Sequence, residues 1–251
     1  MTAVTKRSLV SIRAKNPAAR IRLFCFPYAG GGAVSYRDWH KSLPADIEVA
    51  AVQLPGREWR IAEQPIADMS ALAADVLVGM RPFLDKPFAL LGTSMGGTLI
   101  FELARLLRAE GLPAPTCLLP FACGAPQTPE SKIFHTLPDE ELLDEIRSFG
   151  VLSDELSTHP ELLEMFLPIL RADCTAHEAY NYVEQEAFDF PIWVYGGLSD
   201  DTVERDRLDA WSVHTQGDFR VHMIMGGHLF VDEMPVQLMD SLARRLYESI
   251  G

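Results

Sequence analysis

FALLGTSMGGTLIFELARLLRAEG, residues 88–111, is the stretch that decides the fold. Phe88 to Gly92 is an apolar run of strand length, and Met95 to Glu110 repeats apolar residues at helical spacing until Gly111 stops it. The turn between them, Gly92-Thr93-Ser94-Met95-Gly96, matches G-x-S-x-G. The pattern alone is weak, because Gly and Ser are common enough for chance to supply it in about one chain in ten of this length. Its place between a buried strand and a helix is stronger evidence: there a serine is held on a sharp turn with its hydroxyl exposed. Glycines flank it because strand and helix fold back on each other and Cβ atoms would collide. The bland reading, a turn whose serine only caps the helix, is the weaker fit.

Outward from this unit, strand-like runs alternate with amphipathic stretches. Strands are expected at 21–27, 48–54, 116–122, 191–195 and 219–225, and helices at 33–43, 68–84, 203–214 and 235–250. Ser8 to Arg13 alternates weakly and suggests an antiparallel edge strand. Such alternation implies an α/β fold, a mostly parallel central sheet flanked by helices. One segment breaks the pattern. Residues 128–187 contain no convincing strand but read as helices at 138–148, 153–158, 160–171 and 173–184, with Phe149, Leu156, Phe166, Leu167, Tyr180 and Tyr182 as an apolar lining. A bare loop of that length would be unusual, so the segment reads as an inserted helical lid on a single domain spanning 1–251.

The 251 residues carry 22 Lys+Arg against 35 Asp+Glu, a formal charge of −13, unevenly distributed. Lys6, Arg7, Arg13, Lys15, Arg20 and Arg22 precede the first acid, Asp38, leaving 16 basic against 35 acidic residues after them. General nucleic-acid binding is disfavoured, because most of the chain would repel a polyanion. The basic head reads as a solvated tail, with a transit peptide as the rival. No apolar run is long enough to span a bilayer. Four cysteines, Cys25, Cys117, Cys123 and Cys174, show neither metal-ligand spacing nor a disulfide framework. With no secretory segment at the start, a cytoplasmic protein is expected.

A serine hydroxyl needs a base and an orienting carboxylate to become a nucleophile. Of seven histidines, His228 follows a predicted strand directly in Gly226-Gly227-His228, where the carboxyl edge of the sheet would place it beside the serine. His222 is the nearest rival but would point into the sheet. The acid should lie in Gly196-Gly197-Leu198-Ser199-Asp200-Asp201, after another strand. Spacing does not separate Asp200 from Asp201. The order serine, acid, histidine is that of α/β-hydrolases. The Met95 amide supplies one oxyanion donor, and a second is expected from the loop Phe26 to Gly32. That Gly-rich loop contains neither GxGxxG nor a phosphate-binding GxxxxGK[ST].

Six ordered motifs complete the picture: FPYAGGGA at 26–33, LPGRE at 54–58, GTSMGG at 92–97, LRAD at 170–173 followed by Tyr180, GGLSDD at 196–201 and GGHLF at 226–230. Together they resemble the type II thioesterases, stand-alone editing enzymes of polyketide and nonribosomal peptide assembly lines with the α/β-hydrolase fold. The resemblance implies Ser94 as nucleophile, His228 as base and Asp200 as carboxylate, because Val203 then matches the family's aliphatic residue after the acid. It also implies the Ala29 and Met95 amides as oxyanion hole and residues 128–187 as a mobile cap. Tyr28 stands where many members have histidine. The implied substrate is an acyl or peptidyl group on the 4′-phosphopantetheine arm of a carrier protein, with no metal or redox cofactor. A monomer is the expected state.

A generic carboxylesterase or lipase, a chain-releasing thioesterase of fatty acid synthesis and a non-catalytic carrier-binding protein are the alternatives. Carrier proteins of this class are acidic, so a locally basic surface should receive them. Arg13, Lys15, Arg20 and Arg22, or Arg37, Arg57 and Arg60, are the two candidate clusters.

Overall fold

Among the described residues, one seven-stranded sheet runs in the order β1-β3-β2-β4-β5-β6-β7. The strands are Val10–Ser11 (β1), Ile21–Phe26 (β2), Ile47–Val52 (β3), Phe88–Thr93 (β4), Leu118–Phe121 (β5), Ile192–Gly197 (β6) and Phe219–Ile224 (β7). This computed structural model describes residues 8–128, 130, 132–150 and 159–251. Every pairing is parallel except that of β1 with β3, so the edge strand expected near Ser8 to Arg13 is present but only two residues long. Parallel strands covered on both faces read as continuous apolar runs, and β2, β3, β4 and β6 are buried at all six positions.

β4 shows how the two layers form. Phe88 and Leu90 join the apolar layer under helices α1 (Met69–Met80) and α2 (Met95–Ala109), whereas Ala89 and Leu91 join the opposite layer. That second layer includes Leu238, Leu242 and Leu246 of the C-terminal helix. Each such leucine, taken fully out of water, contributes about 2 kcal/mol. Asp68 caps α1 by accepting the Ala71 N–H at 2.7 Å.

Between β5 and β6 the described chain forms α3 (Asp139–Ser148) and α4 (Pro160–Glu178). The helices expected at 160–171 and 173–184 are therefore one, ending at Glu178, and the helix expected at 153–158 lies outside the described residues. After β6 come α5 (Arg205–Asp209), β7, α6 (Phe230–Glu233) and α7 (Val236–Glu248). The helix expected at 203–214 is α5 followed by a 3-10 turn, Ala210–His214. The helix expected at 33–43 is instead two 3-10 turns, Ala33–Tyr36 and Trp39–Lys41. Tyr36 and Trp39 are almost fully buried and pack edge to face, so two large rings three residues apart go into the core. All four cysteines are free and buried.

Three of the arginines expected to form a docking surface are interior. Arg22 on β2 pairs with Glu48 of β3, its register partner, with Nη2 at 2.5 Å from the carboxylate. Arg57 pairs with Asp173, and Arg60 with Glu63 and Asp75. Each of these arginine side chains is only 2–6% exposed.

Candidate active site

The carboxyl ends of β2, β4, β6 and β7 carry the candidate residues on four loops, as open α/β sheets place their ligands. β4 ends at Thr93, and Ser94 follows with φ 52° and ψ −119° before α2 begins. A side chain there is strained by about 1–3 kcal/mol, and the surrounding backbone holds it. Ser94 N–H donates to the Phe121 carbonyl at 2.7 Å, and Gly97 N–H donates to the Ser94 carbonyl at 2.7 Å. A Cβ on Gly92 would sit 2.0 Å from the Gly96 carbonyl oxygen, which explains the first glycine of the motif.

The acid and histidine loops lie backbone to backbone. Leu198 N–H donates to the Ile224 carbonyl at 2.8 Å and Ser199 N–H to the Gly226 carbonyl at 2.9 Å. A Cβ on Gly197 would meet the Gly227 carbonyl oxygen at 2.3 Å, so the double glycines permit this approach. It brings His228 Nδ1 to 2.9 Å from Asp200 Oδ2, while His228 Nε2 lies 3.0 Å from Ser94 Oγ. Burial works to raise the Asp200 carboxyl, but hydrogen bonds from His228 and Thr202 outweigh it and hold the group below its ordinary value. Asp201 is exposed at the mouth of the cavity. The geometry thus separates two aspartates that spacing left equivalent. His222 lies against the ring of its register partner Tyr195, 4.8 Å between centroids, so it projects from a face of the sheet and not from the carboxyl edge that carries His228.

Ala29 and Met95 border the same cavity as Ser94 and His228. Met95 is the first residue of α2, where an amide has no intrahelical acceptor and forms part of the positive end of the helix dipole. Ala29 lies in a turn closed by Gly31 N–H donating to the Tyr28 carbonyl at 2.9 Å.

The cavity, about 190 Å³, runs from Ser94 beneath the inserted segment, with Phe134, Ile146, Phe149 and Leu229 as its main apolar lining. Phe149 is the expected lining residue that borders it. Phe134 and Ile146 escape sequence reading because their apolar neighbours show no periodicity that separates a cavity wall from a core. Phe166 and Leu167 pack with Ala29 in the apolar cluster of α3 and α4. Tyr180 and Tyr182 pack on the main core, and Leu156 lies outside the described residues. Glu130 and His177 add polar wall. Burial works to raise the Glu130 carboxyl, but His177 and Arg207 bring it down to about 2.

The family model described as thioesterase domain matches residues 21–246. The gramicidin S biosynthesis protein GrsT of Aneurinibacillus migulanus is 38% identical over 232 residues, 92% of this chain and 91% of that protein. Among solved structures, the RedJ thioesterase from the prodiginine biosynthetic pathway in Streptomyces coelicolor is 34% identical. It superposes with a TM-score of 0.84 over 90% of this chain and 86% of its own. The type II thioesterase BorB from the borrelidin biosynthetic cluster is 34% identical, with a TM-score of 0.84 over 96% of this chain and 97% of its own.

Proposed function

The chain belongs to the thioesterase domain family, and from that premise we propose that it is a type II thioesterase that clears aberrant or stalled acyl units from carrier proteins of polyketide or nonribosomal peptide assembly. The reaction is thioester hydrolysis: acyl-S-pantetheine and water give a carboxylic acid and the free thiol. The observation that carries the reading is His228, whose two ring nitrogens lie 3.0 Å from Ser94 Oγ and 2.9 Å from Asp200 Oδ2.

In this mechanism His228 Nε2 takes the Ser94 proton as Oγ attacks the thioester carbon. The Ala29 and Met95 amides stabilise the tetrahedral oxyanion, an effect worth about 3–4 kcal/mol per donor in such sites. Collapse expels the pantetheine sulfur, which takes the proton from His228, and leaves an acyl ester on Ser94. Water, deprotonated by the same Nε2, then attacks that ester; a second oxyanion collapses and Oγ recovers the proton. Asp200 stays ionised and holds the imidazolium. Residues 128–187 act as a lid over the acyl cavity of a single domain. Among the described residues no helix is long and apolar enough to cross a membrane.

Incubating the protein with acetyl, propionyl, malonyl, aminoacyl and longer acyl groups on a carrier protein, followed by mass spectrometry, tests the reading. Release of several short groups is expected, and Ser94→Ala should release none. A preference for simple oxygen esters over all carrier-bound thioesters would replace it with a carboxylesterase. Efficient release of one long chain alone would replace it with a chain-terminating role.

A further inference from the structure

Across 143 residues of chain, Gly30 N–H donates to Asp173 Oδ2 at 2.8 Å. Asp173 is a buried carboxylate on α4, and Arg57 grips it with two nitrogens, Nη1 at 2.5 Å and Nη2 at 2.8 Å. The same Nη1 donates to the Gly31 carbonyl at 3.0 Å, and Nε to the Pro55 carbonyl at 3.2 Å. One ion pair therefore holds an amide and a carbonyl of the Tyr28 to Gly31 turn. A Cβ on Gly30 would meet Phe166 at 2.6 Å and Leu170 at 3.5 Å, two residues on the same face of α4, at spacings of four and three residues from one another and from Asp173.

The turn's own geometry shows what is being held. Gly31 N–H bonds the Tyr28 carbonyl, and in a planar trans peptide the Ala29 N–H points opposite that carbonyl. Gly30 has φ +78°, as the third residue of a type II turn requires. A type I turn differs by a flip of the Ala29–Gly30 peptide, which would carry the Gly30 N–H away from Asp173 but leave the Ala29 N–H where the Tyr28 peptide sets it. Asp173 and Arg57 therefore anchor the placement of the whole turn against α4. A buried ion pair is weak evidence of added stability, since an apolar pair often serves as well. What Asp173 supplies, and an apolar residue would not, is an acceptor for Gly30.

We propose that Asp173, held by Arg57, is a positioning residue for the oxyanion site: it fixes this turn so that the Ala29 amide faces the oxygen that becomes negative when Ser94 attacks. Because Asp173 is on α4, the site is complete only while α4 of the inserted segment is docked. The proposal rests on the thioesterase reading for its substrate.

Asp173→Ala, which leaves Gly30 N–H without a side-chain acceptor, and the double variant Arg57→Met/Asp173→Leu test it, with three readouts at a temperature where circular dichroism shows each folded. Both should lose kcat by about 10- to 100-fold, with KM within about threefold of the parent. Affinity for an acyl trifluoromethyl ketone, which forms an oxyanion on Ser94, should fall by the same factor as kcat. Affinity for a non-hydrolysable acyl-pantetheine amide should hold. The double variant should melt near the parent temperature yet keep the kcat loss; recovery of kcat along with stability would overturn the proposal. So would equal weakening of both ligands, or of neither, in Asp173→Ala. A parent protein that captures the ketone but leaves carrier thioesters intact removes the proposed substrate, while the ratio of ligand affinities still decides the role of Asp173.

Discussion

The Thr202 hydroxyl lies 2.9 Å from His228 Nδ1, and 2.6 Å from Asp200 Oδ1 to which it donates. A hydroxyl has one proton, so toward His228 it accepts, and Nδ1–H is shared between Thr202 and Asp200. That leaves Nε2 bare to accept the Ser94 proton. Thr202→Val should lower kcat/KM about tenfold, the cost of one to two hydrogen bonds at the base. Thr202→Ser should retain most of it. Steady-state hydrolysis of a small acyl-pantetheine thioester compares the two, and equal loss in both would assign Thr202 to packing alone.

Asp200 reaches His228 and Asp201 does not, so the two isosteric amide variants should differ widely. Asp200→Asn should lose about 10⁴-fold in kcat, because an amide can stabilise the wrong imidazole tautomer. Asp201→Asn should stay within about threefold, as exposed substitutions usually do. Comparable losses would give the two carboxylates a joint role.

These contrasts mark what sequence can carry. The strand, elbow and helix around Ser94 are legible because the requirement is local: an apolar run, flanking glycines and a helical period lie within 24 residues. His228 is legible for a similar reason, as the residue just past a strand. Thr202 leaves a local trace, an Asp two residues before a Thr, and its N–H indeed bonds Asp200 Oδ1 at 2.9 Å in an Asx turn; nothing in that trace points to His228. Arg57 and Arg60 read as surface cations because exposure is the rule for arginine. The partner that buries Arg57 is 116 residues away on another helix, a relation no periodicity encodes. The 3-10 turns at Ala33–Tyr36 and Trp39–Lys41 likewise answer to the core above them and not to local propensity.

Burial of Arg22, Arg57 and Arg60 leaves Arg13, Lys15 and Arg20 as the exposed members of the basic head among the described residues. Arg20 lies over the Tyr247 ring at 5.3 Å. If an acidic carrier protein docks here, reversing these three charges should raise KM for carrier-bound substrate about three- to tenfold. The effect should shrink with added salt. A small pantetheine thioester should be hydrolysed as before. Equal effects on both substrates would exclude this surface.

Glu130 makes stability depend on acidity. Its carboxyl lies near 2 in the fold, below its ordinary 4.5, held there against burial by His177 and Arg207. A depressed carboxylate contributes stability that is present above the unfolded value and lost as pH falls through the folded one. Between pH 4.5 and about 2 the parent should therefore lose more melting temperature than Glu130→Gln, and the two should converge at the acid end. Parallel curves across that window would remove Glu130 as a source of acid lability.

Ser94 occupies φ 52°, ψ −119°, a conformation that penalises any Cβ. Ser94→Ala and Ser94→Gly both delete the hydroxyl, and each should lose about 10⁴-fold or more in kcat. Their stabilities should separate, because only glycine relieves the backbone. Strain of about 1–3 kcal/mol is released, offset by about 0.5–1 kcal/mol of extra unfolded-chain entropy. Ser94→Gly should therefore be more stable than Ser94→Ala by about 1 kcal/mol, or roughly 2–4 °C in melting temperature at this chain length. Thermal unfolding of the two inactive variants measures this directly. An alanine variant that melts at or above the glycine one would mean that the loops around the elbow, and not its backbone conformation, limit stability at Ser94.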